Sequence, residues 1–125
     1  MRFMLIAYAD KNLENGTQPD PRLIAAIGKL TEELRRSGVM IDTAGLAPTS
    51  TGAKIHLSGG KVTVMDGPFT EAKEIIGGYA IVDVNSKQEA IELAKRFYQI
   101  HAEILGPTYQ AAGEVRQMFH SLGCE

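Results

Sequence analysis

The segment Arg2 to Tyr8 constrains the fold more than any other. Phe3, Leu5 and Ala7 fall on one pleat face and Met4, Ile6 and Tyr8 on the other, so a strand here is apolar on both sides. Such a strand needs cover above and below, which places it inside a sheet rather than at its edge. The run follows Arg2 and so imitates a secretory leader. It stops at Asp10-Lys11-Asn12, too soon for a leader's apolar region or a membrane span. A chain of 125 residues has length for one core, so residues 1–125 are read as a single domain.

The rest of the chain supplies the cover. Asp10 to Pro19 is a polar loop; Asp20 then stands as a helix N-cap with Pro21 at the first helical position. Leu23, Ile27, Leu30 and Leu34 draw one apolar stripe down that helix, and Gly38 stops it. Val39 to Leu46 reads as a second strand, followed by a turn-rich connection from Ala47 to Ala53. Lys54–Leu57 and Lys61–Met65 flank Ser58-Gly59-Gly60 as the arms of a hairpin, and Tyr79 to Val84 is the next strand. Ser86 and Glu89 form a capping box for a second helix, with Ala90, Ala94 and Phe97 as its inward stripe, ending before Gly106-Pro107. Glu114 to His120 has the length of a last strand.

Reduced to its larger elements, this order is βαββαβ: an α+β, ferredoxin-like antiparallel sheet with two helices on one face. The other face of the first strand is apolar as well. Left in water it would exceed the few hundred Å2, roughly, of contiguous apolar surface that soluble monomers expose. A homodimer packed sheet on sheet is therefore expected.

Several function classes are excluded by charge and residue usage. A net charge of −2 with no Lys/Arg cluster leaves no footprint for a nucleic-acid backbone. The single cysteine, Cys124, cannot form an intrachain disulfide, which suits a reducing cytoplasm. No His-x-His, Glu-x-x-His or cysteine pair marks a metal site, and no cofactor motif is present. His101, near the end of the second helix, reads as a cationic side chain favoured by the negative helix terminus, and His120 lies near the C-terminus.

MRFMLIAYAD at the start, GLAPTSTGAKIHLSGGKVTVMDGPFTEAKEIIGGYAIVDV in the middle and GEVRQMF near the end together resemble the YCII-related proteins of the DGPF type over nearly the full chain. The resemblance implies a dimeric α/β barrel of ferredoxin-like subunits. It implies little about activity, since most of that family has no established function. Members with a suspected enzymatic role pair an aspartate with a histidine near the start of the first helix. Here that stretch reads Asp20-Pro21-Arg22-Leu23-Ile24, so the histidine is missing.

The central motif has a structural reading: Asp66 accepts from amides in its turn, Gly67 takes positive φ, Pro68 fixes φ, and Phe69 anchors the loop. The functional reading places Asp66 at the mouth of a pocket between sheet and loop, desolvated enough to act as general acid or base. Around it, Tyr8, His56, Phe69, Lys73, Glu74, Asp83 and Arg116 are candidate ligand contacts, with Asp83 and Arg116 a candidate ion pair. Glu71, Lys73 and Glu74 are otherwise a solvated run of mixed charge, and Gly77-Gly78 a bulge or close backbone approach at the strand start. Two functions follow. One is a cofactor-free small-molecule-binding protein or enzyme of isomerase or lyase type. The other is a non-enzymatic accessory or regulatory dimer, a role suggested by relatives whose genes neighbour those of extracytoplasmic-function sigma factors.

Overall fold

The computed structural model describes residues 1–68 and 75–119. Its elements, in order, are β1 (Arg2–Tyr8), α1 (Lys11–Glu14), α2 (Pro21–Arg36), β2 (Met40–Gly45), a 3-10 turn (Thr49–Thr51), β3 (Ala53–Ser58), β4 (Lys61–Asp66), β5 (Ile76–Asp83), α3 (Lys87–Leu105) and β6 (Gly113–Gln117). β2, β5, β1 and β6 lie side by side in that order, every neighbouring pair antiparallel, and β3 and β4 form a separate hairpin. The fold is mixed α+β, and β1 sits inside the sheet as its two apolar faces require.

Local chemistry sets the element ends. Asp20 Oδ1 accepts from the Arg22 amide at 2.8 Å and opens α2. Ser86 Oγ accepts from the Glu89 amide at 3.2 Å and opens α3, while Glu89 reaches back to the Asn85 amide at 2.9 Å, one residue before the serine. Gly59 and Gly60 both take positive φ, at 57° and 77°, which lets a two-residue turn join β3 to β4. The loop before α2 holds one extra helical turn, α1, started by Asp10 Oδ1 accepting from the Leu13 amide at 2.8 Å.

The sealed core occupies one end of the molecule. Phe3, Val82, Val84 and Ala90 are buried there, with Leu5, Val39, Met40, Leu93 and Val115 packed around them, so α3 covers the β1 face that carries Phe3 and Leu5. Leu30 and Leu34 bury the inner stripe of α2. α2 and α3 are tied across their outer surfaces by Arg96 to Glu33 at 2.9 Å. Met4, Ile6, Tyr79 and Ile81 lie on the opposite sheet face by strand alternation. Among the described residues no helix is long and apolar enough to cross a membrane.

The hairpin is built differently. Every residue of β3 and β4 is exposed, including Ile55, Leu57, Val62, Val64 and Met65 at 61–70%. Its base is fastened at the central motif: the Gly67 amide donates to Gly52 O at 2.9 Å, and a β-carbon at Gly67 would collide with the Thr49 carbonyl. Thr49 in turn gives its amide and hydroxyl to Glu14, at 2.8 and 2.7 Å. Gly67 does not take the positive φ expected of it; the close approach of the Thr49 carbonyl is what requires glycine there, and the Gly67-Pro68 peptide is cis.

Candidate functional site

The register of the sheet explains where space opens. One row across all four strands reads Gly45, Gly78, Ala7, Gly113, and nothing larger than a methyl group rises from it. The adjacent row, Thr43, Ala80, Leu5 and Val115, is fuller. α2 and α3 therefore close on the sheet at the Phe3 end and leave a gap above the small row. That gap is a cavity of about 940 Å3, walled by Leu23, Ile27 and Leu30 of α2 and Ile91, Ala94 and Phe97 of α3. Residues from the loops at 10–20 and 108–111 line the same cavity. At about 30 Å3 per water, the space equals roughly thirty waters, and it is open in part to solvent.

One corner of the cavity is polar and aromatic. His101 Nδ1 lies 2.8 Å from the Phe97 carbonyl. A carbonyl only accepts, so the bond assigns the ring proton to Nδ1 and leaves Nε2 of the neutral ring as an acceptor. No described residue bonds Nε2. The ring sits against Phe97, centroids 4.5 Å apart, and stacks on Tyr109 at 5.9 Å with 19° between planes. The Tyr109 hydroxyl donates to Asp10 Oδ2 at 3.3 Å, joining the two loops.

Tyr98 completes the corner, its ring 6.0 Å from that of His101. A β-carbon at Gly113 would strike the Tyr98 hydroxyl, so glycine there gives the phenol its place. Burial pushes the Tyr98 phenol above its ordinary pKa, with Tyr8 adding to the effect. Tyr109 is raised too, by burial first and then by the negative charge and hydrogen bond of Asp10. Both hydroxyls therefore stay protonated as donors through neutral pH. With the Tyr109 hydroxyl spent on Asp10, the corner offers one vacant acceptor and the Tyr98 phenolic donor against flat aromatic walls.

The residues singled out in the sequence fall into two places. Tyr8 lines the cavity, and its hydroxyl bonds Glu114. Arg116 holds both oxygens of Glu114 at 2.7 and 2.8 Å, so Arg116 first and Tyr8 second keep that carboxyl below the usual range. Asp83 pairs instead with the N-terminal amine at 3.2 Å, so it forms no pair with Arg116. Asp66 and His56 are exposed on the hairpin, opposite Ala53 and Thr63, and neither lines the cavity. Phe69, Glu71, Lys73, Glu74 and His120 lie outside the described residues.

His101, Asp10, Tyr98 and Tyr109 were not among the expected site residues. The spacing Phe97-Tyr98-His101 puts three rings on one helical turn, and that was the available signal. Among the described residues no group of three or more His, Cys, Asp or Glu side chains forms a metal site.

Comparison with known proteins gives a family without naming a reaction. An uncharacterised protein of Rhizobium meliloti (strain 1021) is 29% identical over 97 residues, spanning 76% of this chain and 78% of that relative. The model of the YCII-related domain matches residues 1–114, and the chain belongs to the YCII-related family.

Proposed function

We propose that the chain is a cofactor-free small-molecule-binding protein, with the cavity between α2, α3 and the sheet as its site. The observation that carries this reading is the pairing of a roughly 940 Å3 chamber, walled by the apolar stripes of both helices, with a polar aromatic corner at His101 and Tyr98. Ligand sites are typically chambers of about 300–1,000 Å3 with few, convergent polar groups. An acceptor nitrogen beside a protonated phenol is also the equipment for moving a proton, so isomerisation or elimination is the chemistry the corner suits. In this reading the Asp66 turn fastens the hairpin and His101 takes the proton-handling role.

The strand order supports a ferredoxin-like subunit, and the Asp66–Phe69 motif supports placement among DGPF-type members. Two copies would join sheet on sheet as a dimeric barrel, covering Met4, Ile6, Tyr79 and Ile81. A second reading, an accessory dimer that engages another protein, is favoured by the apolar hairpin, whose Leu57 is 70% exposed.

The test uses the small row of the sheet floor. A β-carbon at Gly45 meets nothing within 4 Å, so Gly45→Leu fills the chamber without a backbone clash. Neutral aromatic fragments should raise the thermal midpoint of the wild type and not of Gly45→Leu, with circular dichroism unchanged. At a hundredfold excess over Kd the stabilisation is about 2.7 kcal/mol. Equal shifts in both proteins would place binding elsewhere.

A further inference from the structure

The polar corner also restricts what the chamber accepts. We propose that it takes an uncharged aromatic ring bearing a single hydrogen-bond donor, of the indole type, with that donor on His101 Nε2. The inference rests on the cavity being the ligand site and adds the class of ligand.

Three observations carry it. The Nδ1 bond to the Phe97 carbonyl at 2.8 Å puts the proton of the neutral ring on Nδ1 and leaves Nε2 to accept, so the matching ligand group is an N–H or O–H. The walls beside it, Phe97 and Tyr109, are flat rings, and the Gly45-Gly78-Ala7 part of the row, beyond the Tyr98 seat on Gly113, leaves a floor low enough for another ring.

Charge is the third. Asp10 and Asp20 line the chamber with one lysine, Lys87, so a carboxylate or phosphate meets no basic cluster to offset its desolvation. The nearby guanidinium of Arg22 is already held by Asp20 at 2.8 Å and offers an anion no free partner. A ligand ammonium is disfavoured as well. Asp10 already accepts from Leu13 and Tyr109, while Asp20 holds Arg22. What remains is a neutral ring that buries its faces and donates once.

The chain contains no tryptophan, so indole emission reads binding directly. Indole, 1-methylindole, 3-methylindole and indole-3-carboxylate are titrated into wild type, His101→Phe and His101→Gln. In the wild type, indole and 3-methylindole should bind about fivefold tighter than 1-methylindole, the factor for one ordinary hydrogen bond. 3-Methylindole controls for the size of the added methyl, and indole-3-carboxylate should bind weakest. His101→Phe should erase the preference by weakening the N–H ligands alone, and His101→Gln, with an amide oxygen to accept, should restore part of it.

Equal affinity for indole and 1-methylindole in the wild type overturns the donor assignment and leaves the cavity reading intact. Preferred binding of the carboxylate overturns the charge argument. If neither indole nor 1-methylindole binds at millimolar concentration, the cavity reading falls with the inference. The wild-type comparison stands even if a His101 variant does not fold.

Discussion

Replacing Gly113 by alanine should destabilise the protein far more than a single methyl ordinarily does. The new β-carbon would collide with two atoms, the Tyr98 hydroxyl and the Ile6 carbonyl. The phenol can swing aside on its side chain. The carbonyl cannot, because Ile6 is held in the β1 ladder between Tyr79 and Glu114. Overpacking of this kind costs about 1–3 kcal/mol, and the backbone collision puts Gly113→Ala near the upper end.

Gly45→Ala is the matched control. It lies in the same row of the sheet, its β-carbon has open space, and it has no positive φ, so restricting the unfolded chain should stabilise by about 0.4–1 kcal/mol. Urea unfolding followed by circular dichroism should thus separate the two variants by about 3 kcal/mol, with opposite signs relative to wild type. Adding Tyr98→Ala to Gly113→Ala should recover only part of the loss, since the Ile6 carbonyl stays. If both alanines shift stability equally, the account of the small-residue row and of Tyr98's seat is wrong.

Other expectations follow from single contacts. Ser86→Ala removes the N-cap of α3, where Ser86 Oγ accepts from Glu89 at 3.2 Å, and should lower unfolding free energy by about 1 kcal/mol in the same urea assay. The folded-state pKa of Tyr109 is raised, so its contribution to stability is full below the ordinary tyrosine value of about 10 and is lost as pH climbs through the folded value. An alkaline stability profile should therefore fall less steeply for Tyr109→Phe than for wild type. For the proposed sheet-on-sheet dimer, Ile6→Lys puts a charge on the open face opposite Glu114 and should yield a folded single copy by light scattering. A wild type already single at micromolar concentration would remove the dimer from the account.

What was legible in the sequence was the part governed by neighbours. Asp20-Pro21, Ser86 with Glu89, and Gly59-Gly60 each act within one turn of chain, and the structure places two helix starts and a hairpin at them. β5 begins at Ile76, ahead of the expected Tyr79, because Gly78 pairs with both Ala7 and Gly45 and so belongs to the ladder. β6 stops at Gln117, short of the expected His120.

The site was far less legible. Ala7, Gly45, Gly78 and Gly113 are scattered along the chain, and only strand register aligns them into one floor. His101 reads in sequence as a helix-end cation. Its relation to Tyr109 and Asp10 exists only once the loop after α3 meets the loop after β1. Asp83 shows the converse: strand alternation exposes its side chain, but its partner is the N-terminal amine, which no spacing rule points to.

The central claim is that a ligand enters the space between the helices and the sheet, and methyl-resolved NMR tests it most directly. On titration with indole, the methyl resonances of Leu5, Ile27, Leu30 and Ile91 should move together and saturably, while those of Ile55, Leu57, Val62 and Val64 on the hairpin stay in place. Shifts confined to the hairpin, with the chamber methyls unmoved, would contradict the account.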